Sequence, residues 1–121
     1  MDKFLSGRRV LVVEDEMLIL MMIEDMLADL GCEAVSTAAT ISHAVSLVGS
    51  QDFDAAMLDM NLSGSKCYAV ADALAARSVP YFFSTGNSAG DMEDSYNGQE
   101  VLRKPFRNKD LVDVLTRVLA N

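Results

Sequence analysis

Four stretches of this chain place a chemically capable side chain directly after an apolar run. Val10-Leu11-Val12-Val13 runs into Glu14-Asp15, and Ala55-Ala56-Met57-Leu58 into Asp59. Tyr81-Phe82-Phe83-Ser84 runs into Thr85, and Val101-Leu102-Arg103 into Lys104-Pro105. A short apolar run closed by polar residues reads as a buried strand ending at a surface. Parallel sheets carry their functional groups at such ends. Glu14, Asp15 and Asp59 in one crevice would repel one another, raising their pKa values or straining the fold. A hard divalent cation relieves that repulsion, and oxygen donors without His or Cys point to magnesium. The backbone carbonyl of Asn61, two residues past Asp59, is a candidate further ligand. Magnesium keeps several waters, so phosphate oxygens can enter its shell. A carboxylate beside it can attack phosphorus and form an acyl phosphate. Such a transfer needs positioning and charge neutralisation more than covalent help. One of the acids is then the nucleophile, Lys104 a fixed positive charge, and Thr85 a hydroxyl able to follow the phosphoryl group.

Taken singly, each residue has a plainer reading. Glu14-Asp15 suits a helix N-terminus, where acids are favoured. Asp59 suits a loop cap, Thr85 a structural β-branched position, and Lys104 a solvated lysine beside a turn proline. The four together, each at a strand end, favour the site. His43 is the lone histidine and lies on a helix away from the crevice. Cys32 and Cys67 are far apart, with neither zinc nor disulfide spacing, and read as packing residues in a reducing compartment.

The elements that would position these groups alternate along the chain. The first strand is 9–13, followed by a helix whose apolar stripe is Ile19, Met22, Ile23, Met26, Leu27 and Leu30. Gly31 supplies its C-terminal cap. A second strand at 33–37 precedes a helix capped by Thr40, with Ile41, Ala44, Val45 and Val48 inward. The third strand is 54–58 and the third helix about 66–76. The fourth strand is 81–84. Residues 86–98 are polar, acidic and glycine-punctuated, so a helix there would be short or frayed. The fifth strand is about 100–102, and the last helix about 109–119, with Leu111, Val114, Leu115 and Val118 inward.

Five strands alternating with helices give an α/β fold, a parallel sheet covered by helices on both faces. Right-handed crossovers leave few topologies. The doubly wound, flavodoxin-like strand order 2-1-3-4-5 sets the first and third strands side by side and brings Asp59 to Glu14-Asp15. With 121 residues, the whole of 1–121 is expected to be a single domain. Half the residues are hydrophobic, enough for a full core. The net charge of -8 argues against nucleic-acid binding, which relies on Lys and Arg. No apolar stretch is long enough to span a membrane, and the N-terminus lacks a signal-peptide pattern. A cytoplasmic protein is expected.

With Glu14-Asp15-Glu16, Asp59, Ser84-Thr85-Gly86 and Lys104-Pro105-Phe106 in this order and spacing, the chain resembles the receiver domains of two-component response regulators, the CheY-like family. The resemblance covers essentially the whole length. It implies that Asp59 accepts phosphate from a histidine kinase in a magnesium-dependent reaction. It also implies that Glu14 and Asp15 hold the metal, that Thr85 senses the phosphoryl group, and that Lys104 pairs with it. A cis Lys104-Pro105 bond is part of the same expectation. Pro80-Tyr81-Phe82-Phe83-Ser84-Thr85-Gly86 is similar to the alphaproteobacterial FATGUY subclass, which pairs with kinases of the HWE/HisKA2 type. Here Ser84 stands where Ala is typical, Asn87 where an aromatic follows the Gly, and Val101 where many receivers carry a switching aromatic. The usual Met/Leu-Pro pair after the phosphorylated Asp is also absent. The resemblance implies a stand-alone receiver, a phosphoacceptor rather than an enzyme, signalling by protein contact or draining phosphate. Its partner would be a histidine kinase or a phosphotransfer protein, and its state a monomer or weak dimer.

Without an aromatic at Val101, the signal is expected to travel through the 86–98 loop, which phosphorylation would order through Thr85. Met17, Leu18, Leu20 and Met21 are apolar residues outside the first helix's stripe. Some are expected to line the adjacent strand, and those near Asp15, Met17, Leu18 and Met21 among them, to stay exposed as a docking face for a kinase helix. Two other classes compete. An aspartyl-nucleophile phosphatase would want a second acid two residues on, where Asn61 stands. A pseudo-receiver would lack an acid, the Thr or the Lys, and all are present.

Overall fold

The computed structural model describes residues 5–62, 65–86 and 100–120. The described elements are β1 (Arg9–Val13), α1 (Met17–Asp29), β2 (Ala34–Ala38), α2 (Ile41–Ser50), β3 (Ala55–Asp59), β4 (Asn61–Leu62), β5 (Ser65–Lys66), α3 (Tyr68–Ala76), β6 (Tyr81–Thr85), β7 (Val101–Arg103) and α4 (Asn108–Leu119). Five strands form one sheet in the order β2-β1-β3-β6-β7, all pairings parallel. This is the expected doubly wound order, with β6 and β7 as the fourth and fifth strands. The expected loop and short helix at 86–98 fall, after Gly86, outside the described residues.

The central strands bury both faces, which explains why they read as unbroken apolar runs. All five residues of β3 and of β6 are buried. Their alternation feeds two cores. Val10, Val12, Ala55, Met57, Phe82 and Leu102 face α1 and α4. Leu11, Val13, Ala56, Leu58 and Phe83 face α2 and α3.

Local signals act as their chemistry dictates. The Thr40 side chain accepts the His43 backbone N–H at 3.1 Å and caps α2. Gly31 adopts φ 89°, a conformation that glycine tolerates without a Cβ clash. The N–H groups of Gly31 and Cys32 then bond the carbonyls of Ala28 and Leu27, closing α1 in a Schellman arrangement.

Three expectations shift. In α1 the buried residues are Leu20, Ile23 and Leu27, while Met22 is exposed. Residues 17–23 are all apolar, so periodicity alone allows two overlapping stripes, and packing on the sheet selects one. In α2, Val45 is exposed, and Leu47 packs against the core with Ile41, Ala44 and Val48. The third helix begins at Tyr68 rather than near Lys66. Ser65 and Lys66 instead pair antiparallel with Leu62 and Asn61, a hairpin that uses their backbone groups before the helix can.

Candidate functional site

The site grows out of strand alternation. Glu14 lies two residues past Val12, Asp59 two past Met57, Ser84 two past Phe82, and Lys104 two past Leu102. Each of those four core residues faces α1 and α4, so the four polar residues continue along that same side. The register makes Asp59 and Ser84 direct partners across β3 and β6.

Backbone bonds extend the ladders beyond the strands. Glu14 N–H donates to the Ala38 carbonyl at 3.0 Å, Met60 N–H to the Ser84 carbonyl at 2.8 Å, and Lys104 N–H to the Thr85 carbonyl at 2.8 Å. The polar rim therefore stands on a hydrogen-bonded backbone. The Lys104-Pro105 bond is cis, as the family resemblance implied.

Carboxylate oxygens of Glu14, Asp15 and Asp59 all lie within 4.8 Å of one another. Glu14 and Asp59 are buried, at 2% and 7% exposure. Lys104 Nζ donates to Glu14 Oε1 at 2.8 Å and stands 3.6 Å from Asp59 Oδ1. The Glu16 backbone N–H donates to Glu14 Oε2 at 3.1 Å and helps orient it. Burial pushes the Lys104 ammonium pKa down, but the bond to Glu14 and the charges of Asp59, Glu14 and Glu16 outweigh it and leave it above the ordinary lysine value. These interactions favour the charged form of Lys104. Burial, with the Asp59 charge adding to it, pushes the Cys67 thiol pKa up to about 12.

The donor set of this cluster suits a hard divalent cation. It offers several carboxylate oxygens close together and no soft ligand, and Lys104 brings a single positive charge against three acids. Thr85 is buried at the end of β6, one residue past the register partner of Asp59, and alternation gives it the face of Phe83. Asn61 opens β4, paired with Lys66. His43 is exposed on α2. Sequence reasoning gave Ser84 no role, and its hydroxyl is buried without a hydrogen-bond partner among the described residues. The sequence marks it as a polar residue ending an aromatic strand, where alanine is typical of the similar subclass.

Beside the cluster, α1 exposes Met17, Leu18 and Met21 at 64%, 82% and 53%. An apolar cavity of about 370 Å³ lies between this helix and the cis-proline segment, lined by Ile19, Met22, Lys104, Pro105 and Phe106. No helix is long and apolar enough to cross a membrane among the described residues.

Comparison with known proteins places this geometry. Residues 10–116 match the family model of the response regulator receiver domain. The chain is similar to the solution structure of SdrG from Sphingomonas melonis Fr1, at 41% identity and TM-score 0.83, over 93% of this chain and 96% of that one. It is similar to the BeF3-activated conformation of SdrG from Pseudomonas melonis Fr1, at 39% identity and TM-score 0.82, over 94% and 98% of the two chains. It is also similar to the receiver domain of the sensor histidine kinase PA1611 from Pseudomonas aeruginosa PAO1, a structure with a magnesium ion coordinated in the active site cleft. That match has 28% identity and TM-score 0.83 over 96% of this chain and 100% of the other. A search of curated proteins found no match. With the family model spanning most of its length and the acids and lysine gathered on one sheet edge, this chain belongs to the receiver domains of two-component response regulators.

Proposed function

We propose that this receiver accepts a phosphoryl group on Asp59 from the phosphohistidine of a kinase or phosphotransfer protein. The observation that carries the reading is the convergence of Glu14, Asp15 and Asp59 within 4.8 Å, with Lys104 against Glu14 and Asp59. An Asp59 carboxylate oxygen attacks phosphorus, the O–P bond forms, and the P–N bond breaks. The imidazole leaves with the electron pair and takes a proton from solvent. Lys104 holds positive charge where the phosphoryl oxygens arrive, so its contribution needs no reorganisation during transfer. Glu14, Asp15, Asp59 and the Asn61 carbonyl would hold magnesium. When bound, that ion neutralises the repulsion among the acids and the charge of the incoming group. Thr85, at the end of the strand beside β3, supplies a neutral hydroxyl to the phosphoryl group.

The exposed apolar end of α1 and the adjoining Ile19–Phe106 cavity form the surface for a kinase helix. They lie at the Asp15 end of the helix, so a helix docked there brings its histidine to Asp59. The Pro80–Gly86 motif supports a kinase of the HWE/HisKA2 type. Output is by contact with another cytoplasmic protein or by draining phosphate from the kinase, and the domain signals rather than turning over a separate substrate.

The test is direct. Incubated with a small phosphodonor and magnesium, the wild type gains the mass of one phosphoryl group, while Asp59→Asn gains none. Equal labelling of both proteins, or of neither, would sink the proposal.

A further inference from the structure

Ser84 ends an otherwise aromatic run and is only 1% exposed. Its Oγ has no hydrogen-bond partner among the described residues. A buried hydroxyl left without a partner is unfavourable, so it calls for an explanation in another state of the protein. The surroundings say which state. Ser84 is the register partner of Asp59, on the same face of the sheet. Its own carbonyl accepts the N–H of Met60, the residue after Asp59, at 2.8 Å. On its other side it pairs with Leu102, two residues before Lys104. Backbone bonds therefore hold Ser84 between the acceptor and the lysine, and only its χ1 rotor remains to be set.

Charge supplies the rest. In the resting protein Asp59 is a carboxylate with Lys104 as a charged neighbour at 3.6 Å. Phosphorylation transfers the negative charge outward to the phosphoryl oxygens, where Lys104 already holds a positive charge. The oxygen left on the Asp59 carbon becomes a carbonyl, which still has lone pairs to accept from a hydroxyl. The geometry points to Ser84 as a further positioning residue: its hydroxyl, unpartnered at rest, donates to the acyl carbonyl oxygen of phosphorylated Asp59. This rests on Asp59 being the phosphoacceptor. A bond made in one state and absent from the other shifts the balance toward the first. Ser84 thereby favours the phosphorylated form by the one bond that it makes only there.

Beryllium fluoride with magnesium, as a mimic of the phosphoryl group on the acceptor carboxylate, tests this without chemistry. Calorimetric titration gives the affinity, and melting of the unliganded protein reports the resting state. Ser84→Ala is expected to melt higher than the wild type and to bind beryllofluoride roughly tenfold more weakly. Ser84→Thr, which keeps the hydroxyl, is expected to retain the affinity to within about twofold. Two results overturn the inference while leaving Asp59 as acceptor. One is an Ala variant that binds as tightly as the wild type. The other is an Ala variant that melts lower, which means the hydroxyl already has a partner at rest. A wild type that binds no beryllofluoride, like Asp59→Asn, removes the acceptor reading and this inference with it.

Discussion

Helices α1 and α4 cover the same side of the sheet and share one core, yet they are built in opposite ways. In α4 the apolar residues Leu111, Val114, Leu115 and Val118 are all buried. Its N-terminus is closed by Asp110, whose Oδ2 accepts the Arg107 backbone N–H at 2.9 Å. Acid stands in its first turn and base in its last, as the helix dipole favours. Lys109 and Asp113 pair along its outer face at 2.9 Å. By contrast, α1 has no side-chain cap, no acid in its first turn and no base in its last. It buries Leu20, Ile23 and Leu27 and leaves Met17, Leu18, Met21 and Met22 exposed. Its exposed apolar residues gather at the end nearest Asp15. One helix devotes its apolar residues to the fold, whereas the other carries a surplus that the fold does not use. In a signalling domain, that surplus beside the acidic cluster is where a partner is expected to dock.

The contrast can be broken by substitution. The largest effect is expected from Leu115→Ala in α4, which removes a fully buried side chain and should cost about 2–5 kcal/mol in denaturant unfolding. A loss under about 0.5 kcal/mol, typical of surface changes, would show that α4 is not the structural helix described. Next comes Gly31→Ala at the end of α1. Its φ of 89° puts an added Cβ in the left-handed region, for an expected loss of about 1–2 kcal/mol. Smaller in stability but larger in function is Leu18→Ala with Met21→Ala. Unfolding should shift by less than about 0.5 kcal/mol. Transfer from the cognate phosphokinase should slow roughly tenfold, as expected for loss of an interface anchor. Labelling by a small phosphodonor should not change. If transfer from the kinase is also unchanged, the docking face lies elsewhere.

The smallest effect concerns pH. The hydrogen bond from the Arg107 backbone holds the Asp110 carboxyl below its ordinary value of 3.8, with the nearby Arg107 and Lys109 charges adding to this. Its pKa is lower folded than unfolded, so its contribution is present above 3.8 and is lost as pH falls through the folded value. Asp110→Ala should therefore lower the melting midpoint slightly at neutral pH. The gap to the wild type should close under acid conditions, and a gap constant with pH would argue that the carboxylate charge has no part in the cap.

Legibility from the sequence followed the range of each interaction. Thr40 and Gly31 act on backbone groups a few residues away, and both caps were readable. The inward face of α4 was readable because its apolar and charged residues alternate at helical spacing. In α1 the run from Met17 to Ile23 is apolar throughout, so spacing could not choose between Leu20 and Met22 as the buried residue. The hairpin of Asn61–Leu62 with Ser65–Lys66 was not readable, because its pairing competes with a helix start of similar local merit. Ser84 was seen as a departure from the usual alanine, but nothing nearby in the chain showed that its hydroxyl would be buried and unpaired.

By itself the sequence determined the alternation of strands and helices, the residue types at each strand end, and the chemistry that acids, a hydroxyl and an ammonium can perform. Those properties depend on composition and on neighbours within a turn or a strand. The tertiary structure alone decided which strand ends meet, that Lys104 reaches Glu14 at 2.8 Å and Asp59 at 3.6 Å, and that Ser84 faces Asp59 across the ladder. These are contacts between segments far apart in the chain. Their geometry is set by how the two helical layers pack on a twisted sheet, which no local pattern specifies.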